Sequence, residues 1–247
     1  MPRSLSTCLL PELATPELFT DARVVVIDIL RASSTICTAL ANSAEVVIPC
    51  EDVETAHQLK RDAAGNPPLL GGERGGVKLP DFDLGNSPRE YGEETVAGRP
   101  IVFTTTNGTR ALHRSAAGAG VAVGCFLNCE AIVNWLESSD QPVVLMCAGT
   151  DGHITLEDCL FAGLLADKLV QRNQHVPIDD PTRICLDVYH TAALRPDGVQ
   201  LQLRASRGGQ NLQNLGMGED IAYCSQIDIL DLVPVWDATA NRITPLK

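Results

Sequence analysis

The side chains of this 247-residue chain that could handle a charged ligand come in acid–cation sets beside turn-forming residues. Asp28 and Arg31 follow the apolar run of residues 24–27. Glu73 and Arg74 lie between the glycine pairs Gly71–Gly72 and Gly75–Gly76, and Glu157 and Asp158 follow the turn sequence Gly149-Thr150-Asp151-Gly152. Thr104, Thr105, Thr106, Asn107, Gly108 and Thr109 add hydroxyls, an amide and a backbone able to approach an anion. Arg31 and Arg74, with Lys78 and Arg110 as further cations, could hold phosphoryl or carboxylate oxygens. Asp28, Glu73, Glu157 and Asp158 could hold Mg²⁺ or move protons. Together these are the needs of metal-assisted phosphoryl transfer. The acids discriminate: a passive sensor of a small anionic metabolite would gain nothing from carboxylates beside its ligand, whereas a Mg²⁺ enzyme requires them.

These groups work together only if the chain positions them, and the pattern supplies the elements. VVVIDI (24–29), EVVIPC (45–50), residues 101–103, 121–126 and VVLMC (143–147) read as strands. Helical patterns follow at 35–44, 53–64, 110–120, 129–136 and 156–170. Strand, polar turn and helix in succession are the unit of a parallel sheet, and in open α/β sheets ligands bind beyond the carboxyl ends of the strands. Asp28 and Arg31, residues 104–107 and residues 149–158 are therefore expected at one edge, with the glycine-rich segment from Gly71 as a loop over it. Ser87, Pro88 and Glu90 have the spacing of a capping box. So do Thr155 and Asp158, which gives Asp158 a structural alternative. Beyond residue 175 the signal weakens: 177–181 reads as a turn, 182–190 and 198–204 as helical, 206–220 as a polar Gly/Asn/Gln-rich segment, and the end as a late strand.

Composition bounds the rest. A net charge of −12 argues against nucleic acid and anionic membranes as partners, because either would require a basic face. Aromatics are only 4% against 45% hydrophobic residues, so the core must be aliphatic, which favours helices packed on a sheet. Nine cysteines without a CxxC or a zinc spacing read as small buried hydrophobes of a soluble, cytoplasmic protein. The length suits one α/β domain over 1–247, with 177–247 as a candidate C-terminal subdomain, and a homodimer is compatible with it.

Two familiar phosphatase patterns come close and fail. After VVVID the second Asp of haloacid-dehalogenase-type enzymes is replaced by Leu30, and Cys129 has Trp135 where a Cys-x5-Arg loop needs arginine. A Walker A loop, a GxGxxG turn and a GxSxG elbow are also missing. His153 is the one histidine beside a motif, a weak acid/base candidate. Five strings do resemble a known family: VVVIDILRASSTICTALANSA, LLGGERGGVKLPDFDLGNSPREY, IVFTTTNGTRAL, VGCFLNCEAI and CAGTDGHITLEDCLFAG. In this order and spacing they are similar to the 2-phosphosulfolactate phosphatases of the coenzyme M pathway, the ComB family. They cover most of residues 24–163, while the tail resembles it only through SRGGQNL and residues 218–220. The resemblance implies a Mg²⁺-dependent hydrolase with a three-layer α/β/α fold and a mostly parallel or mixed sheet. Its implied reaction releases phosphate from 2-phospho-3-sulfolactate, a small anionic phosphorylated substrate, to give 3-sulfolactate. Within it Asp28, Glu73 and Glu157 are the expected catalytic and metal-binding acids, with Asp158 as a further ligand. Arg31, Arg74, Thr105, Thr106, Asn107 and Gly108 are the expected anion-binding set. Other phosphorylated hydroxy acids or sugar phosphates remain alternative substrates.

Overall fold

Continuous aliphatic runs become strands buried on both faces, and the polar turns after them start the helices. In the computed structural model, which describes residues 3–172 and 174–246, β1 (Arg3–Cys8) is followed by β2 (Arg23–Ile27), α1 (Ala32–Ala41), β3 (Val46–Cys50) and α2 (Val53–Asp62). Next come β4 (Leu69–Arg74), β5 (Val77–Lys78), α3 (Glu93–Val96), β6 (Pro100–Thr104), α4 (Gly108–Arg114) and β7 (Gly120–Gly124). The chain continues through α5 (Cys129–Glu137), β8 (Val143–Cys147), α6 (Leu156–Gln171), β9 (His175–Pro177) and α7 (Asp180–Ala193). It ends with α8 (Gly198–Ala205), α9 (Arg207–Asn214), α10 (Gly218–Cys224), β10 (Pro234–Asp237) and β11 (Arg242–Pro245). The architecture is a three-layer α/β/α arrangement about a mixed sheet, as the resemblance implies.

The sheet order is β5-β4-β6-β3-β11-β10-β7-β2-β8-β1-β9. Strands β7, β2, β8, β1 and β9 are mutually parallel, as are β3, β6 and β4. The hairpin β10–β11 lies between these halves, antiparallel to both, so the two halves run in opposite directions. The carboxyl ends of β2 and β6 meet all the same: a Cβ added to Gly108, just past β6, would lie 3.0 Å from Asp28 Oδ2.

Several expectations are corrected. Strand β1 is not among the strands read from the sequence; its sequence RSLSTC carries little local signal, and its partners β8 and β9 lie more than a hundred residues away. The first half of the glycine-rich stretch is a strand rather than a loop. Gly72 has φ +155 and would place a Cβ 2.3 Å from Thr104 O, so glycine lets β4 lie close against β6. Gly75 and Gly76 form the tight turn into β5. Neither capping box forms. Ser87 Oγ donates instead to Asp220 Oδ1 (2.7 Å), Glu90 Oε2 accepts from Gly85 N–H (2.8 Å), and Thr155 makes no side-chain cap. The segment 206–220 folds as α9 and α10. All nine cysteines are buried and unbridged. Among the described residues, no helix is long and apolar enough to cross a membrane.

Candidate functional site

The loops that leave β2, β4, β6 and β8 line a polar cleft of about 390 Å³, with α9 across it. Asp28 and Arg31 come from the β2–α1 turn, Glu73 from the end of β4, Thr106 and Asn107 from the β6–α4 turn, and Thr150 and Asp151 from the loop after β8.

Asp28 is held at the start of α1. Its backbone N–H donates to Ser33 Oγ (2.9 Å), and its Oδ1 accepts from Ala32 N–H (3.3 Å). Loss of water pushes its carboxyl up to about 7, with the Glu73 and Glu157 charges adding to the rise and the Ala32 and Gly108 N–H groups opposing it. Three acids therefore act on one another here. Glu73 Oε2 accepts from Gly76 N–H (2.7 Å). Glu157 is 2% exposed; its Oε1 accepts from Gly208 N–H (3.1 Å), while its Oε2 has no partner among the described residues. Burial raises Glu157 as well, against the hydrogen bond it receives from Gly208 N–H. A Cβ at position 208 would sit 2.3 Å from Glu157 Oε1, so glycine is what lets α9 approach this acid.

Asp158 has a structural task. Its Oδ1 accepts from Ile29 N–H (3.0 Å) and its Oδ2 from Gly149 N–H (2.9 Å), tying together the turns after β2 and β8. Burial, with the Asp28 and Glu157 charges, holds it well above the carboxylate range. Arg31 is 3% exposed. It pairs with Asp220 of α10 and donates to Gly76 O (2.8 Å), so one guanidinium joins the β2–α1 turn, the β4–β5 turn and the C-terminal helices.

The remaining expected anion binders divide. Thr106 and Asn107 line the cleft, and Asn107 Oδ1 accepts from Asp151 N–H (3.2 Å). Thr105 is buried and borders, with Gly108, a small apolar space behind Asp28. Arg74 stays outside: its guanidinium donates to the carbonyls of Glu73 (2.7 Å) and Glu51 (3.0 Å). Lys78 is exposed on β5, and Arg110 pairs with Glu12 at the surface (3.0 Å). Arg74→Lys is therefore expected to keep kcat/KM within about twofold of the parent, because a half-buried cation held on backbone carbonyls outside the cleft contributes little to turnover. A loss of tenfold or more in steady-state assays would bring Arg74 into the site.

Sequence reading missed Asn86, Asp151, Arg207, Asp220 and the amides of α9. Arg207 lies 3.3 Å from Asp151 Oδ2 at the cleft. The available signal was the polar spacing 207, 210, 211, 214, a single helical face.

Among the described residues no group of three or more His, Cys, Asp or Glu side chains is placed to hold a metal ion. Mg²⁺ does not need one, since it keeps several waters and takes one or two carboxylates beside substrate oxygens. Asp28 and Glu73 on the cleft wall fit that donor set, whereas Glu157 does not line the cleft.

Fold and cleft together define an α/β/α protein whose strand ends gather acids, cations and amides around one polar cleft. A family profile described as 2-phosphosulpholactate phosphatase matches residues 8–239. A probable 2-phosphosulfolactate phosphatase of Symbiobacterium thermophilum is 42% identical over 86% of this chain and 90% of its own length. Proteins of the same description from Caldanaerobacter subterraneus subsp. tengcongensis and Carboxydothermus hydrogenoformans are 40% and 38% identical, covering 87% and 90% of both chains respectively. This chain belongs to the 2-phosphosulfolactate phosphatase family.

Proposed function

We propose that this chain hydrolyses 2-phospho-3-sulfolactate to 3-sulfolactate and phosphate, with Mg²⁺ held by Asp28 and Glu73 and with the Glu157 carboxyl beside Asp28 adding negative charge. The observation that carries the reading is the meeting of Asp28 and Glu73 in one polar cleft with Arg31 and Arg207. The names of the relatives support the choice of substrate. When bound, Mg²⁺ supplies positive charge to the phosphoryl oxygens and orients the attack.

The protein's own groups do the rest. Arg31, fixed by Asp220 and Gly76 O, offers its remaining N–H donors to the anion in a set direction. Asn107, whose Oδ1 is taken by Asp151 N–H, has its amide donors left for substrate oxygens. A water attacks phosphorus in line, the bond to the 2-oxygen of sulfolactate breaks, and that oxygen leaves with a proton. Attack by water is preferred to an aspartyl-phosphate, because backbone N–H groups pin the Asp28 carboxylate and the partner acid of dehalogenase-type enzymes is Leu30 here. Rapid-quench trapping of phosphorylated Asp28 would reverse that preference. The nine buried thiols suit a reducing cytoplasm, where we place the reaction.

A phosphate-release screen over phosphorylated hydroxy acids and sugar phosphates, with Mg²⁺ and with EDTA, tests the reading. Release from 2-phospho-3-sulfolactate that EDTA abolishes is expected; ligand binding without release from any substrate would make the protein a sensor. Stability gives a second measurement. Metal-free Asp28 keeps its proton to about pH 7 when folded but only to 3.8 when unfolded, so its contribution to stability falls as pH rises through that window. A cation binds the ionised form, so Mg²⁺ should raise Tm by about 3–5 °C at pH 8 and hardly at all at pH 5. Equal shifts at both values would take Asp28 out of the ligand set.

A further inference from the structure

Helix α9 carries Arg207, Gln210, Asn211 and Asn214 at positions i, i+3, i+4 and i+7, so all four lie on one face, and all four line the cleft. None of them is an acid. The amide N–H groups at the start of this helix are already engaged: Gly208 N–H donates to Glu157 Oε1 (3.1 Å) and Gly209 N–H to Ser206 Oγ (3.1 Å). A ligand at this wall must therefore be read by side chains. Gln210 spends one amide hydrogen on Ala205 O (2.9 Å) and Asn211 one on Gly75 O (3.2 Å), which leaves each a second donor. Asn214 makes no side-chain hydrogen bond among the described residues.

A second feature points to a ligand independently. Asn86, before the short turn at Pro88, also lines the cleft; it is 5% exposed, and its Oδ1 has no partner among the described residues. Buried amides are almost always paired, and one left open beside a cleft is completed by what binds there. Because amide oxygen and nitrogen can exchange places by a flip, either a donor or an acceptor can be presented.

Charge decides which end of the substrate each wall takes. The Asp28 and Glu73 carboxylates repel an anion unless a cation stands between them, so that wall suits the phosphoryl group with its metal. A sulfonate stays ionised and accepts several hydrogen bonds, which fits a wall of amides beside an arginine that Asp151 partly neutralises. We propose that the face of α9 formed by Arg207, Gln210, Asn211 and Asn214, with Asn86, is the subsite for the sulfonate and sets the preference for sulfonated substrates. This rests on the reaction proposed above.

The test compares kcat/KM for 2-phospho-3-sulfolactate with that for 2-phospholactate, which lacks only the sulfonate. Gln210→Ala, Asn214→Ala and Asn86→Ser are measured beside Gln213→Ala, whose side chain bonds Arg204 O away from the cleft. Each cleft variant is expected to lose about tenfold on the sulfonated substrate and less than twofold on 2-phospholactate, with Gln213→Ala unchanged on both. The exposed positions 210 and 214 keep the test decisive if Asn86→Ser folds poorly. Equal losses on the two substrates, or no loss on the sulfonated one while the parent enzyme still prefers it, overturn the subsite alone. A parent enzyme that does not hydrolyse 2-phospho-3-sulfolactate overturns the proposed reaction, and the subsite with it.

Discussion

Asp28→Asn is expected to lower kcat/KM by on the order of 10³ while making the metal-free protein more stable. Asparagine keeps an oxygen to accept the Ala32 N–H and nearly the same volume, so the start of α1 need not move. What disappears is the negative charge beside Glu73 and Glu157. Because the folded protein pushes Asp28 up to about 7 from 3.8, the ionised form works against folding above that range by roughly 2–4 kcal/mol. The variant should therefore melt higher than the parent at pH 8 without Mg²⁺, and the difference should vanish near pH 4, where both carry a neutral group. A purely structural acid would show the reverse, a loss of stability with little effect on turnover. Melting curves at the two pH values and steady-state kinetics at pH 8 separate the outcomes.

Arg31→Met should produce the largest loss of stability, about 3–5 kcal/mol. Arg31 and Asp220 are 3% and 2% exposed, and removing the arginine leaves a buried carboxylate whose other contact is Ser87 Oγ. Methionine fills much of the space, so the effect is chiefly the unpaired charge. Asp220→Asn in the same chain should recover much of the lost stability, because no buried charge then remains. Activity should not recover, since Arg31 lines the cleft. Should the double variant melt as low as Arg31→Met alone, packing rather than charge would be the cause. The pair also explains how the C-terminal helices serve the site: α10 anchors to the β2–α1 turn through Asp220, and α9 is thereby held across the cleft.

The parts of the protein legible in its sequence were those fixed over short distances. VVLMC becomes β8 at the expected residues because a continuous aliphatic run between turn signals has no other way to bury itself. Asp28, Glu73, Thr106 and Asn107 could be placed at strand ends because polar residues directly after such runs must leave the sheet at its edge, and these four share the cleft. Glu157 and Asp158 were equally visible, and the sequence already offered Asp158 a structural alternative, though through a capping box that does not form. Neighbours on one helical turn diverge by about 100°; one faces Gly208 of α9, and the other ties together the turns after β2 and β8.

Groups whose partners lie far along the chain required the tertiary structure. Arg74 sits among glycines as a ligand clamp would, yet its direction is set by the carbonyl of Glu51, beyond the end of β3. The hairpin β10–β11 has weak local signal and still occupies the middle of the sheet, because two parallel halves leave edges that it can pair. That insertion reverses one half of the sheet, yet residues after the strands of both halves share one cleft. The sequence by itself therefore determined the chemistry at hand: acids, cations and amides at the ends of buried strands, in the order characteristic of one family. The tertiary structure alone decided which of them face one another, because the direction of a side chain depends on packing and pairing between segments well separated along the chain.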